Sequence, residues 1–525
     1  MGGGFARAGG HVALAGLVSR VTGFARTLVL AALLGTAAVG DAYNGANQLP
    51  NMVYELLLGS VFASAVVPLL MRARRHGRKH SREFTQRLLV AAVLGLAAIT
   101  VITVLCAPLI VRVFVTDSAQ RHLATLFAYL LLPEIFFYGV AVLLTAVLNV
   151  RDNFAAAAWA PVVNNVIVLL TCGVFVLVPG PVTLTPTAMT NAQILTIGLG
   201  TTAGLAGQAA WVIFALRRNG FHWNWRARPL PYTWRPVRAG LPVLGWILVY
   251  AAISQVGVAV TMRVAFDHAG MSISSYADLL FQVPYGILAA SLLTLLMPRI
   301  SRSAAIGDLR GVIADLGRGA RYLTVALIPI TVAMALLGPM LAAMVFGGRV
   351  DPAAARLIGI AVACSAFGLA PFALVMLQLR VFYAYNDTRT PTLINVAMVI
   401  TKVTVIAGAA TVFPDRIVIV LLSVSSSLAY VVGATLGHVL LRKRCGLLGF
   451  TAVGDTFIRV VWATAIAGAS CAAGMVVARH TAADLGLAHV ITLIAGASVG
   501  VGAFLLAAKM IGIPEVRHAR ALLTA

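Results

Sequence analysis

The sequence predicts an all-α polytopic membrane protein with about fourteen transmembrane helices. Of its 525 residues, 60% are hydrophobic and 10% are charged, and the mean hydropathy is +0.95. A soluble domain carries about 25% charged residues. Apolar runs of about 20 residues, the length needed to cross a bilayer, recur from one end of the chain to the other.

Each predicted span is an apolar run bounded by polar residues, glycine or proline. Glycine and proline inside the runs do not argue against helices, because both are commoner in membrane helices than in soluble ones. The first run is too long for a cleavable signal peptide and is interpreted as a span. The spans are expected near residues 12–37, 42–71, 87–115, 123–148, 155–179, 193–216, 239–264, 274–298, 320–346, 354–382, 392–413, 416–441, 456–478 and 486–511.

The loops on one side of the predicted helices are strongly basic. Arginine and lysine cluster in 72–87, 217–238, 299–321 and 442–444, whereas the loop 178–191 on the other side has no charged residue. The positive-inside rule places the basic loops and both termini in the cytoplasm. Topology and contact with anionic lipids therefore account for the net charge of +23, and no nucleic-acid partner is predicted.

The sequence carries no motif for catalysis, metal binding or nucleotide binding. Its five cysteines are scattered without a CxxC pair, and its ten histidines have no HExxH or comparable spacing. No catalytic triad or P-loop pattern is present. We therefore expect no enzyme activity, no cofactor and no metal.

Two arginines lie inside the first predicted span. Arg20 and Arg26 occur in the run Ser19-Arg20-Val21-Thr22-Gly23-Phe24-Ala25-Arg26. An arginine at the centre of a span costs about 2.5–3.5 kcal/mol on insertion scales. This cost is tolerable if the side chains face a water-filled cavity. A cationic cavity in a membrane implies an anionic cargo.

Each charged residue of the spans also has a simpler interpretation. Arg26 could be a structural cation that pairs with Glu55 or Glu134, and Arg20 could extend to the cytoplasmic surface. Asp41, at the boundary of a span, could cap a helix or act in a gate. Glu55 and Glu134 could each neutralise an arginine or carry a coupling proton.

The chain repeats itself at an offset of about 230–235 residues. A proline-centred segment at 48–53 matches 282–287, and a polar segment at 151–153 matches 386–388. Six spans separate the equivalent positions, so the two halves are predicted to be parallel and related by an axis along the membrane normal. The predicted domains are an N-terminal lobe (1–217), an interfacial linker (218–238), a C-terminal lobe (239–441) and two extra helices with a short tail (442–525).

Several of these segments resemble a known family. The run 19–26, followed by Asp41-Ala42-Tyr43 and Leu49-Pro50-Asn51, is similar to the opening of MurJ (MviN) proteins, the lipid II flippases of bacterial peptidoglycan synthesis. This family belongs to the multidrug/oligosaccharidyl-lipid/polysaccharide exporter superfamily. Further matches lie at 148–154 and 276–286, and 297–302 resembles the actinobacterial branch.

The resemblance implies two six-helix lobes around a central cationic cavity, plus two C-terminal helices that form a hydrophobic groove. It implies alternating access that carries undecaprenyl-pyrophosphate-linked disaccharide pentapeptide from the cytoplasmic to the outer leaflet of the bacterial cytoplasmic membrane. The family's substrate-binding positions correspond to Ser19, Arg20, Arg26, Asp41 and Asn51.

The sequence departs from the family pattern at several cavity positions. A family arginine in the second span falls at Tyr54, Leu279 stands where an arginine often follows Asp278, and Gln282 replaces a glutamate. Arg263, near the end of the seventh span, could substitute for a missing cation. Tyr54, Arg263, Asp278 and Gln282 are therefore included among the predicted substrate-binding residues. The carboxylates of a sodium site known in some members have no obvious counterpart.

Two other functions remain as alternatives. The same fold could export another amphiphile or polyprenyl-linked glycan, or the chain could be a non-transporting scaffold of the cell-division machinery. The two arginines favour lipid II, because guanidinium groups match the oxygens of a pyrophosphate in bidentate geometry. Predicted partners are lipid II, membrane lipids and, as an open alternative, proteins of cell division or cell-wall synthesis.

Overall fold

The computed structural model describes the chain except for residues 1, 57–77, 152, 182–183, 222, 224–233, 348–349, 447–450, 482–487 and 517–525. All regular secondary structure in the described part is helical. Some predictions lie outside the described residues. These are the second half of the second span, the basic residues 72–77, most of the linker 218–238 and the end of the tail.

The first of two compact units comprises Met1–Ser272. Within it α1 packs on α7, α7 on α8, and α5 and α6 both on α8, while α2 packs against α5. Its helices are α1 (Gly2–Leu34), α2 (Ala38–Tyr54), α3 (Arg78–Leu105), α4 (Ala107–Phe114), α5 (Ser118–Leu131), α6 (Glu134–Val150), α7 (Phe154–Leu177), α8 (Asn191–Arg218) and α9 (Trp234–Asp267), followed by the start of α10 (Met271–Pro284).

The second unit comprises Ile273–Ala525. In it α12 packs on α13 and α14, α16 on α13, α14 and α15, and the two last helices, α17 and α18, pack on each other and on α12. After α10 its helices are α11 (Ala290–Ala305), α12 (Leu309–Phe346), α13 (Pro352–Ser365), α14 (Leu369–Ala384), α15 (Arg389–Val412), α16 (Asp415–Cys445), α17 (Thr451–Thr481) and α18 (Ala488–Ile511).

The described residues contain thirteen segments long and apolar enough to cross a membrane. They coincide with every predicted span except the second, much of which lies outside the described part. The prediction of an all-helical polytopic membrane protein is therefore confirmed. Large apolar side chains such as Leu105, Leu177 and Met510 are more than 70% exposed on these helices, as expected of surfaces that face lipid.

Several of the described spans are interrupted. The fourth breaks at Pro133 between α5 and α6, and the tenth breaks at the 3₁₀ turn Ala366–Gly368. Residues 55–56 of the second span and Tyr285–Ala289 of the eighth adopt π-helical turns. Each pair of irregularities lies about 230 residues apart, the offset of the sequence repeat. Interrupted helices expose backbone polar groups, which membrane proteins tolerate where the backbone is buried in protein or lines a cavity.

The seventh span, α9, belongs to the first compact unit. Its far end is held there by polar contacts: Arg263 donates to the carbonyl oxygen of Val113 at 3.2 Å, and Thr116 donates to Asp267 at 3.1 Å. The sequence repeat places the same span at the start of the C-terminal lobe. The boundaries of the four domains predicted from the sequence repeat therefore remain a prediction.

The turn between α14 and α15 is fixed by polar contacts. Asn386 adopts a φ of 57°, and the Asp387 carboxylate accepts hydrogen bonds from the backbone and hydroxyl of Thr390 and from Arg444 at the end of α16. Burial raises the pKa of the Asp387 carboxyl, but these hydrogen bonds and the Arg444 charge outweigh burial and lower the pKa below its ordinary value. This polar segment therefore has a structural role.

The predicted topology can be tested with introduced cysteines. Thr187 is exposed in the loop between α7 and α8, and Ile306 is exposed after α11 in a basic loop. In a variant whose five native cysteines, all free thiols, are replaced by serine, we expect an impermeant thiol reagent outside the cell to label Thr187→Cys and not Ile306→Cys. Permeabilised cells, in which both should react, provide the control. The reverse pattern in intact cells would overturn the orientation.

Candidate functional site

A polar pocket within the first unit surrounds one of the two arginines of the first span. Its cavity volume is about 80 Å³, enough for a few water molecules. Helices α1, α2, α6, α7 and α8 all contribute side chains to it. We call it the Arg26 pocket, and its lining residues are Arg26, Asn47, Pro50, Asn51, Glu134, Tyr138, Asn164, Thr201 and Leu205.

Arg26 and Glu134 give the pocket its charge. The Nε atom of Arg26 and the Oε1 atom of Glu134 are buried without a hydrogen-bond partner among the described residues, and the two charges interact. Glu134 is 4% exposed and is the first residue of α6, directly after the break at Pro133. The positive end of the α6 dipole favours a carboxylate at this position.

Most of the other lining residues are neutral polar or aromatic, and Tyr43 and Phe127 lie behind the lining residue Thr201. The Tyr43 hydroxyl lies 3.0 Å from the Thr201 hydroxyl, and the Tyr43 ring packs edge-on against Phe127. The Oδ1 atom of Asn164 is buried without a partner among the described side chains. Unsatisfied donors and acceptors in one small space are typical of a site that holds water or a polar ligand group.

The motif around Gly23 packs against α7. The Asn165 amide donates to the carbonyl oxygen of Ser19 at 3.0 Å and to the hydroxyl of Thr22 at 3.1 Å. A Cβ atom at residue 23 would lie 3.3 Å from the same amide nitrogen, so glycine allows this close approach. Asn165 therefore fixes the part of α1 that precedes Arg26.

The two arginines of α1 have different surroundings. Arg20 is exposed, whereas Arg26 faces the pocket. They are six residues apart, which corresponds to about 9 Å along a helix and about 120° of rotation. The structure thus places only Arg26 in the pocket. Ser19 is half-buried, and its carbonyl is occupied by Asn165.

Asp41 occupies a helix-capping position, one of the two roles considered for it. It is completely buried, and its Oδ1 atom accepts a hydrogen bond of 2.6 Å from the backbone N–H of Ser272, in the first turn of α10. The neighbouring Asn44 donates to the Ser272 hydroxyl. A carboxylate at this place satisfies a free N–H group and complements the dipole of α10.

Tyr54, Glu55 and Asn51 continue from the pocket along α2. The Tyr54 ring packs edge-on against Tyr138 with centroids 4.2 Å apart, so both tyrosines border the same space. Glu55 is exposed in the π-helical turn, and its charge acts on Tyr138 and Tyr250. Asn51 lines the pocket and is exposed.

Arg263 is engaged at the end of α9. Its guanidinium forms an ion pair with Asp267 at 3.1 Å and donates to the carbonyl of Val113. These contacts occupy the guanidinium with structural partners. A contact of Arg263 with cargo stays a prediction.

The second unit contains an intramembrane charge that the sequence analysis did not consider. Asp278 on α10 interacts electrostatically with Lys402, which lies in the middle of α15. Arg380, on α14, acts in the same way on Tyr285. Gln282 is exposed one turn beyond Asp278. Asp278 thus faces a cation from another helix in place of the arginine that often follows it in the family.

Several polar residues of the spans were missed from the sequence. Asn164 and Asn165 are adjacent amides inside an otherwise apolar span, and Lys402 is a lysine in another. A search for every polar residue of the spans would have found them, since polar groups in membranes need partners. The same search would have returned Asn47 and Thr201, but among many other polar residues of the spans.

A metal site is not evident in the described part of the chain. There, no group of three or more histidine, cysteine, aspartate or glutamate residues could hold a metal ion. The chemistry that the Arg26 pocket offers is therefore the binding and compensation of charge by a guanidinium, a carboxylate and amides.

Comparison with known proteins identifies the family. The family model described as "Lipid II flippase MurJ" matches residues 30–490. The chain belongs to the MurJ family. This membership makes it a transporter of the exporter superfamily and not an enzyme. Among its relatives is a probable lipid II flippase MurJ of Rhizobium meliloti, 28% identical over 421 residues that cover 78% of this chain and 75% of the relative. The lipid II flippase MurJ of Burkholderia cenocepacia is 25% identical and covers 73% and 74% of the two chains.

Solved structures have the same fold. A lipid II flippase MurJ in an inward closed conformation superposes with a TM-score of 0.74 and 16% identity, covering 95% of this chain and 98% of the other. An inward-facing MATE multidrug transporter superposes with a TM-score of 0.64 and 14% identity, covering 82% and 96%. At these identities the likeness establishes the MurJ/MATE-like fold, and the predicted fold class is confirmed.

Proposed function

We propose that this chain flips lipid II, the undecaprenyl-pyrophosphate-linked disaccharide pentapeptide, across the bacterial cytoplasmic membrane. The observation that carries the proposal is the Arg26 pocket: a half-buried arginine whose Nε atom is buried without a partner among the described residues, inside a chain of the MurJ family. A guanidinium presents paired donors that match phosphate oxygens. The site residues named from the sequence are proposed as its cargo contacts, with Arg26 first among them.

The charge balance of the pocket suggests how cargo is bound and released. With Glu134 ionised, the pocket is close to neutral and a pyrophosphate must compete with the carboxylate for Arg26. With Glu134 protonated or displaced, Arg26 is free to bind an anion. We therefore propose that Glu134 regulates the availability of Arg26. Glu55, which is exposed and forms no ion pair with another described residue, is the second candidate for coupling.

The proposed energy source is argued from the sequence motifs. A sequence without a P-loop gives no sign of an ATP motor, so an ion gradient or the membrane potential is proposed to drive alternating access. Moving one charge across 100 mV supplies about 2.3 kcal/mol. That amount is comparable with one charge-assisted hydrogen bond.

Finer features of the proposal rest on sequence patterns. Basic loops support cytoplasmic termini, and residues 297–302 support an origin in the actinobacterial branch. Proteins of cell division or cell-wall synthesis are proposed as partners from the family's role. Export of another polyprenyl-linked glycan is the alternative that the Arg26 pocket also favours, because such a lipid carries the same pyrophosphate.

Complementation tests the proposed function. Cells depleted of their own lipid II flippase and supplied with this chain should regain growth and surface-exposed lipid II, measured by protection or labelling of the exposed pentapeptide. A membrane-inserted Arg26→Ala variant is the matched control and should fail to restore exposure. If the unmodified chain is expressed and inserted but lipid II stays inside, the flippase proposal is wrong.

A further inference from the structure

A second, larger cavity lies in the first unit, away from the Arg26 pocket. Its volume is about 350 Å³, and α3, α6 and α8 form its walls. The lining is apolar except at one end; Val93, Phe137, Leu144 and Ala210 are representative. Ala210 is exposed, so the cavity is open on the α8 side. None of its residues belongs to the Arg26 pocket.

The cavity has the depth of one membrane leaflet. Along α8 its lining runs from Ala206 to Arg217, a rise of eleven residue steps or about 16 Å of helix. Half of the hydrocarbon core of a bilayer is about 15 Å. Arg217 is the penultimate residue of α8, so this end of the cavity lies at a membrane surface.

Cationic and aromatic side chains surround that end. Arg217 lines the cavity and is exposed to solvent. Phe221 and Trp223 complete the rim, and Arg151 lies over the Phe221 ring at 4.8 Å from its centroid. Tryptophan and arginine at this level are typical of the interface between lipid headgroups and tails.

We propose that this cavity binds one anionic phospholipid, with an acyl chain between α3, α6 and α8 and its phosphate at Arg217. Basic pockets between transmembrane helices are known to hold anionic headgroups. The apolar depth matches an acyl chain within one leaflet, whereas a polyprenyl chain is several times longer than the cavity. The inference is independent of the flippase proposal, because it concerns a different site and is tested by binding.

Binding of phosphatidylglycerol to the purified full-length chain in detergent tests the proposal, with phosphatidylcholine of the same acyl chains as the comparison. Native mass spectrometry counts bound lipids, and the thermal shift measures stabilisation by a ligand that binds only the folded state. We expect one phosphatidylglycerol to bind with an affinity at least about fivefold above that of phosphatidylcholine, since an interfacial arginine contributes on this order.

Matched variants separate the cavity from the general surface. Arg217→Ala should remove the headgroup preference, whereas Arg218→Ala, the adjacent exposed arginine that does not line the cavity, should preserve it. Ala210→Trp should fill the cavity and weaken phosphatidylglycerol binding at least about fivefold. Ala203→Trp is the control, because Ala203 is exposed on the same helix outside the cavity.

The outcomes are decisive in either direction. Equal binding of the two phospholipids, equal effects of Arg217→Ala and Arg218→Ala, or unchanged binding by a folded Ala210→Trp variant would each overturn the proposal. Displacement of phosphatidylglycerol by undecaprenyl pyrophosphate that depends on Ala210 would also overturn it, because the cavity would then hold the polyprenyl substrate. Size-exclusion profiles and melting temperatures without added lipid verify that each variant is folded.

Discussion

Arg26→Ala should abolish lipid II flipping while the protein still inserts into the membrane. The guanidinium is the cation of the Arg26 pocket, and a hydrogen bond to a charged group contributes about 1.5–3 kcal/mol. Loss of a bidentate contact to pyrophosphate therefore predicts a fall in flipping of more than about tenfold. The measurement is surface-exposed lipid II in cells depleted of their own flippase, normalised to the amount of inserted protein.

Two further substitutions separate charge from geometry. Arg26→Lys keeps the charge but loses the planar fork, so we expect impaired flipping rather than complete loss. Arg20→Ala should have the smaller effect, because Arg20 is exposed outside the pocket. Normal flipping by Arg26→Ala at normal expression would refute the pyrophosphate contact and leave Arg26 a structural cation.

Glu134→Gln should produce the second-largest effect, a loss of flipping of about tenfold together with a flattened pH dependence. The substitution keeps the shape of the side chain but leaves the Arg26 charge uncompensated, and a lone buried charge is costly. A permanently free Arg26 is expected to hold the anionic cargo and slow its release. Flipping measured across a series of external pH values, with the amount of folded protein as reference, provides the readout.

Glu55→Gln is the comparison for this prediction. Glu55 is exposed and borders tyrosines, so its neutralisation leaves the Arg26 pocket intact. We expect a smaller loss of flipping than for Glu134→Gln, because Glu55 is the second coupling candidate and lies outside the Arg26 pocket. If the two single variants and the double variant all keep normal flipping and pH dependence, neither carboxylate couples transport to protons.

Most of the fold could be predicted from the sequence because the bilayer imposes a simple rule. A span must be a helix of about 20 apolar residues with its backbone hydrogen bonds satisfied, so hydropathy alone located thirteen of the predicted spans. The interruptions were harder to predict. Pro133 was visible in the sequence, yet proline is tolerated in membrane helices, and the π-helical turn at Tyr285–Ala289 has no clear sequence pattern.

The candidate site was only partly predictable for a different reason. Arg26 and Glu134 are conspicuous as charges in apolar runs, and their pairing was one of the interpretations considered. Which face of a helix meets which neighbour depends on packing angles and interruptions that hydropathy does not encode. Lys402 was therefore overlooked as the cation beside Asp278.

The sequence by itself determined that this protein is a helical membrane protein with many spans and resembles the MurJ family. It also showed the arginines of the first span, because charge in lipid is so costly that charged residues stand out in apolar runs. The tertiary structure alone decided that the two arginines have separate surroundings. The close approach of Asn165 to Gly23 fixes α1, and the break at Pro133 places Glu134 at the start of α6 in the pocket of Arg26. The tertiary structure also decided that Asp41 caps α10. Asp41 and Ser272 are more than 200 positions apart in the chain, so local sequence patterns do not predict their contact.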